Sequence, residues 1–157
     1  MQPPLWQRLV TPLLYLLPWS DAIPFAGPLF QQYPWMQWFT LPVLPLALLE
    51  GSIPFGLGSL LLFFVLFLAV VRNPNVPYFV RFNALQALLT DIALIVISIG
   101  FRLLLAPLAA GSLLLGTLSS TVVIAVLAIL VFSSVECLRG REPDLPGISQ
   151  AVRMQLY

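Results

Sequence analysis

Three stretches with almost no charge dominate this chain and decide which solvent it can fold in. Residues 53–71 (IPFGLGSLLLFFVLFLAVV) contain no charged side chain. As a helix they would measure about 28 Å, close to the roughly 30 Å hydrocarbon thickness of a bilayer. Residues 82–101 carry only Asp91 as a charge before Arg102, and residues 113–135 carry none. The 157 residues are 60% hydrophobic and 8% charged, whereas soluble domains hold about 25% charged residues. Mean hydropathy is +0.99. Seven arginines and six carboxylates cannot cover the surface of a water-soluble domain of this length. The expected fold is all-α: a single integral membrane domain over residues 1–157, built as a polytopic helical bundle.

Turn chemistry bounds the spans. Pro54 suits the first turn of a helix over residues 53–71, and Arg72-Asn73-Pro74-Asn75 ends it. A longer helix covers residues 80–104, with Pro77 before it and Pro107 and Gly111 as its stop. The last span covers residues 113–136, where Gly116, Ser119, Ser120 and Ala125 offer small positions for close helix approach. Residues 9–30 are apolar but carry Pro12, Pro18, Asp21, Pro24 and Pro28. They read as a kinked first span, with a half-inserted hairpin as the competing reading. Tyr33, Trp35, Trp38 and Phe39 form an aromatic cluster of the kind found at headgroup level. Residues 33–50 are therefore expected as an interfacial or re-entrant segment before the second span. Residues 139–157 form a C-terminal tail. Prolines break the N-terminal apolar run and no small-x-small cleavage site follows it, so Met1 reads as the mature start.

Arginine placement orients the four spans. The 72–81 loop and the tail share a side, because two spans separate them. That side holds Arg72, Arg81, Arg139, Arg141 and Arg153, joined by Arg8 if residues 9–30 cross; Arg102 is alone opposite. The positive-inside rule then puts both termini on the cytoplasmic or stromal face. Asp21 and Glu50 fall on the arginine-poor side.

The helix over residues 80–104 carries the polar residues. At 100° per residue, Asn83, Gln86, Thr90, Asp91, Ser98 and Arg102 fall within an arc of about 160°, and Arg81 precedes them. The remaining face is aliphatic and suited to lipid. Asp91 lies about 15 Å from both Arg81 and Arg102, near the midplane. A carboxylate there costs about 2.5–3.5 kcal/mol to insert and should face the bundle interior or a wet cavity. Two readings stay open for this stripe: a hydrated or partner-facing groove, or interhelical hydrogen bonds that only hold the bundle together.

Other chemistry has little foothold. Net charge is +1 with no basic run, which argues against nucleic acid. Histidine is absent and Cys137 is the only cysteine, which removes an internal disulfide, clustered metal ligands and the commonest general base. No metal, no cofactor and no enzymatic activity are expected. Cys137 reads as inert, and Glu136 with Arg139 as an interfacial pair.

The residues also resemble a family. Ser52-Ile53-Pro54-Phe55, Val71-Arg72-Asn73-Pro74 and Arg81-Phe82-Asn83-Ala84-Leu85-Gln86-Ala87, within the block 52–92, resemble the twenty-kilodalton membrane subunit of the chloroplast inner-envelope protein translocon (Tic) and its cyanobacterial relatives. Leu14-Tyr15-Leu16-Leu17-Pro18 fits the first span of that family, and Leu145-Pro146-Gly147-Ile148-Ser149-Gln150-Ala151 its tail. The resemblance implies four α-helical spans with both termini toward the stroma or cytoplasm. For plastid members it implies a role in protein import as a channel component. Without a transit peptide, the chain looks cyanobacterial or plastid-encoded, resident in a thylakoid membrane, plasma membrane or plastid inner envelope. The leading expectation is a translocon-type subunit in a hetero-oligomer, with the lipid bilayer, other membrane subunits and a passenger polypeptide as partners. The rival is a structural subunit or assembly factor of a photosynthetic membrane complex.

Overall fold

The computed structural model describes residues 2–105, 107 and 113–156. Among them every regular element is helical. Two helices are long and apolar enough to cross a membrane: α6, Tyr78–Gly100 with a π-helical extension that carries it to Leu104, and α7, Leu113–Leu138. Their most apolar windows have mean hydropathies of 2.1 and 2.5, yet only 28% and 11% of those windows are buried. The central helix of a soluble protein would be mostly covered. Helices this apolar and this exposed fit a hydrocarbon solvent instead. The stop expected at Gly111 lies outside the described residues.

Proline breaks up the first segment. It comprises α1 (Leu5–Leu14), α2 (Leu16–Ala22), a 3-10 turn (Ile23–Phe25) and α3 (Gly27–Gln32). Pro12 sits inside α1 and removes a backbone donor there, Pro24 enters the 3-10 turn, and Pro28 opens α3. No piece exceeds 10 residues, about 15 Å, so none spans alone. As a series, though, they follow α7 from end to end: the Arg8 guanidinium packs on Gly140, and Pro28 faces Gly116 at the other end. Gly140 has φ +75 and ends α7 in the left-handed cap that glycine accommodates at no steric cost. Of the small residues expected to seat a neighbour, Gly116 does so, whereas Ala125 is exposed.

The second span departs from expectation. Its helix, α5, begins at Gly58 rather than at residue 53 and continues through a π turn to Val71. That is about 21 Å, two-thirds of a bilayer core. Pro54 forces Ile53 into an extended conformation (φ −92, ψ 121), and Phe55 is left-handed at φ 67, so the chain cannot be helical there. Upstream, residues 34–43 are 3-10 and only Leu44–Gly51 is α-helical (α4). The tail also differs. Residues expected as plain tail include an amphipathic helix, α8 (Ile148–Leu156), whose Val152 is fully buried against Phe82, Leu85 and Val71.

These elements enclose the first half of α6. α1, α2, the end of α5 and α8 all pack on it, burying residues from Phe79 through Asp91 almost all round. The lipid-facing aliphatic side expected along the whole helix is confined to its second half, where Ile95, Val96, Ile99, Leu103 and Leu104 are exposed. Trp19 anchors the opposite core, its indole N–H donating to the Phe39 carbonyl at 2.9 Å while its ring packs on Leu94, Val123 and Val126. Val152→Asp should place a charge in the α8 seam and release that helix. Trypsin should then cut at Arg153 in detergent-solubilised protein at least ten times faster (roughly, for a local opening destabilised by over 1.4 kcal/mol), with the remaining fragment intact on a gel.

Candidate functional site

The buried polar side chains of α6 divide into two groups. Each member of the first makes at least one hydrogen bond, although Gln86 Oε1 has no partner among the described residues. Tyr15 Oη and Cys137 Sγ donate to Asn83 Oδ1 at 2.9 and 3.1 Å, and Asn83 Nδ2 donates to the Phe79 carbonyl at 2.8 Å. One amide thereby ties α1 and α7 to α6. Gln86 Nε2 donates to the Pro143 carbonyl at 3.2 Å, which holds the tail, and Thr90 Oγ1 returns a bond to the Gln86 carbonyl at 2.9 Å. Arg81 Nε donates to the Val71 carbonyl at 2.8 Å. In the loop, Asn73 Oδ1 accepts from the Asn75 amide at 3.0 Å, a side-chain turn that Pro74 fits inside, and Arg72 projects outward. For Arg81, Asn83 and Gln86 the bonds tie α6 to other segments, whereas that of Thr90 stays within the helix.

Asp91 belongs to the second group. It is 1% exposed, and its Oδ1 receives no hydrogen bond among the described residues. Its carboxyl lies within hydrogen-bonding reach of Asp21 at the end of α2, with Glu50 of α4 close enough to act on both. Glu50 in turn accepts from Ser20 Oγ at 3.4 Å. Asp21 and Glu50 were expected near the arginine-poor boundary; the fold instead turns them inward, to the level of the α6 acid. Among the described residues no group of histidine, cysteine and acids is arranged to hold a metal ion.

The short α5 opens the space beside this cluster. Antiparallel to α6, it runs from Val71, level with Arg81, back to Ser59, level with Asp91 and Ile95. It ends there, leaving the Ser98–Arg102 part of α6 uncovered. A groove of about 500 Å³ occupies that place, lined by Asp21, Phe25, Ser59, Leu94, Ser98 and Arg102 among others. A smaller cavity of about 200 Å³ touches Asp91 itself, together with Ser59 and Phe63. Ser98 is half-buried, Arg102 exposed, and both face the groove. The stripe is therefore split by depth: interhelical bonds toward Arg81, a polar-walled groove toward Arg102. Gly58 permits the arrangement, since a Cβ there would overlap the Glu50 backbone where α4 meets α5.

Sequence reasoning passed over Tyr15, Cys137, Asp21, Glu50 and Ser59 as partners of the stripe. Asp21 had a signal, an acid inside an apolar segment. The others had none, because their neighbours come from distant parts of the chain.

Comparison with known proteins identifies relatives along nearly the whole chain. A family model described as chloroplast import apparatus Tic20-like matches residues 1–152. A Tic20 family protein of Synechocystis sp. is 37% identical over 149 residues, covering 95% of this chain and 92% of that protein. Protein TIC 20-v, chloroplastic, of Arabidopsis thaliana is 32% identical over 95% of this chain and 70% of its own length. Protein TIC 20-II, chloroplastic, from the same plant is 30% identical over 98% and 74%.

Two substitutions separate the polar groups by role. Asn83→Ala strands Tyr15 Oη and Cys137 Sγ and should cost about 1–3 kcal/mol, the usual penalty for orphaned buried donors, measured by denaturant unfolding in micelles. Asp91→Asn should instead match or exceed the parent in the same assay, because it replaces a buried acid beside Asp21 and Glu50 with a neutral amide.

Proposed function

The chain belongs to the Tic20-like family, and from that premise we propose that it is a membrane subunit of a protein-translocating complex, contributing a polar-walled groove to the path of a passenger polypeptide. The groove beside α6 carries this reading. It presents Ser59, Asp21, Ser98 and Arg102 beside Leu94, Ile95 and Phe25, a mixture that tolerates both the backbone and varied side chains of an extended peptide. A non-enzymatic role fits such a surface.

The proposed topology has four crossings. α6 and α7 are the two uninterrupted ones. The broken series α1–α3, which follows α7, forms a third, and α5 completed by the inward-dipping α4 forms the fourth. Arg8, Arg72, Arg81, Arg139, Arg141 and Arg153 then gather at one end, toward cytoplasm or stroma, with Arg102 at the other. Four helices of 17.4 kDa in total enclose too little volume for a polypeptide pore. The groove is open on one flank, so further membrane subunits are expected to close it, in a cyanobacterial or plastid membrane.

A photoreactive residue at Ser98 or Ser59 tests the proposal. In membranes engaged in transport, irradiation should link it to a passenger chain, whereas a probe at exposed Val131 on α7 should capture lipid alone. Capture of photosystem subunits without any passenger would favour a structural or assembly role instead.

A further inference from the structure

A second cavity lies at the arginine-rich end, well away from the groove. About 330 Å³ in volume, it is lined by Phe67 and Val71 at the end of α5, Arg72 after it, Arg81 and Leu85 on α6, and Gln155 and Leu156 on α8. Its charge is one-sided. No acid lines it, and neither arginine takes part in an ion pair among the described residues, where Arg139 pairs with Glu136 and Arg153 with Asp144. Arg81 is held in place: its Nε–H is spent on the Val71 carbonyl at 2.8 Å, which fixes the guanidinium plane and leaves the terminal N–H groups to face the cavity. Apart from Gln155 the other walls are apolar, and below them the exposed faces of Phe64 and Leu68 continue along α5.

Depth identifies the occupant. Arg81 and Arg102 are 21 positions apart on one helix, about 31 Å, so they bracket a hydrocarbon core of roughly 30 Å. The cavity sits at headgroup level, with a cationic roof and an apolar wall leading inward. We propose that it binds the phosphodiester of an anionic phospholipid, Arg72 and Arg81 holding the phosphate while an acyl chain lies against Phe67, Phe64 and Leu68. Two guanidinium groups match phosphate oxygens better than one point charge would, and basic pockets between membrane helices on this face take anionic headgroups. Because Gln155 and Leu156 form one wall, the bound lipid also fastens α8 against α6. The inference rests on membrane embedding but not on the passenger groove.

The test uses the purified full-length chain in mild detergent, titrated with phosphatidylglycerol or phosphatidylcholine and examined by native mass spectrometry. The parent should retain one phosphatidylglycerol in preference to phosphatidylcholine. Arg72→Gln, at an exposed position, should weaken retention about fivefold and the Arg72→Gln/Arg81→Gln pair about 30-fold, taking one arginine near an anionic headgroup at its usual worth. Arg141→Gln should leave it unchanged. Circular dichroism of each variant checks that the fold persists, and Arg72→Gln keeps the test valid if the double variant unfolds. Equal retention of both lipids, or undiminished retention by a folded Arg72→Gln protein, would overturn the assignment. So would stabilisation by inorganic phosphate equal to that by phosphatidylglycerol, which would mark the cavity as a soluble-anion site. Loss of lipid preference leaves passenger crosslinking at Ser98 untouched, so the two proposals fail separately.

Discussion

The contact between Gly58 and the backbone of Glu50 governs more of this molecule than any other. Because glycine lacks a side chain, α4 can run into the start of α5 without a gap. Pro54 and the left-handed Phe55 make the sharp reversal between them. The result is an apolar helix of about two-thirds the thickness of a bilayer core, preceded by the short α4, whose Glu50 end abuts its first residue. Glu50 is carried inward with it, to Ser20 and the Asp21–Asp91 pair. Where α5 would have covered α6, the groove appears.

A membrane helix that bears this many polar residues must satisfy them internally, because hydrocarbon offers no partners. The first half of α6 meets that demand by enclosure. Asn83, Gln86 and Thr90 are bonded to α1, α7, the tail or their own helix, and Phe82, Leu85 and Leu88 fill the space between. The second half meets it by opening, with Ser98 and Arg102 on the groove wall. Asp91 lies at the junction, and its Oδ1, like the Gln86 Oε1 one turn and a half before it, is buried without a hydrogen-bond partner among the described residues. Ionisable residues buried at this depth are costly, and function in membrane proteins concentrates at them.

Much of the architecture was legible from spacing. The runs at 82–101, charged only at Asp91, and at 113–135, uncharged, became α6 and α7 nearly residue for residue, because length and hydropathy decide such a helix when nothing interrupts it. The run at 53–71 was just as apolar, yet its first five residues were not helical. Pro54 had looked like an N-terminal helix residue, the role proline often plays, but the turn at Phe55 placed it outside. The helix in the tail carried its own signal, Ile148, Val152 and Leu156 at four-residue intervals, which the polar character of Ser149, Gln150 and Arg153 masked. The interior placement of Asp21 and Glu50 was not legible, since no local pattern says that two proline-broken segments will fold against the same turn of α6.

By itself, then, the sequence determined the apolar character, the helical class, the two helices long and apolar enough to cross a membrane and the set of polar residues on α6. Each of these follows from composition and helical periodicity, which are local. Tertiary structure alone decided which of those polar residues are tied into the bundle and which border open space. It also decided that three acids meet at one depth, and that Arg72 and Arg81 share a cavity with the last turn of the chain. The reason is physical: these relations depend on how far each helix extends beside its neighbour, and that length is set by backbone contacts such as Gly58 on Glu50 rather than by the run of apolar residues.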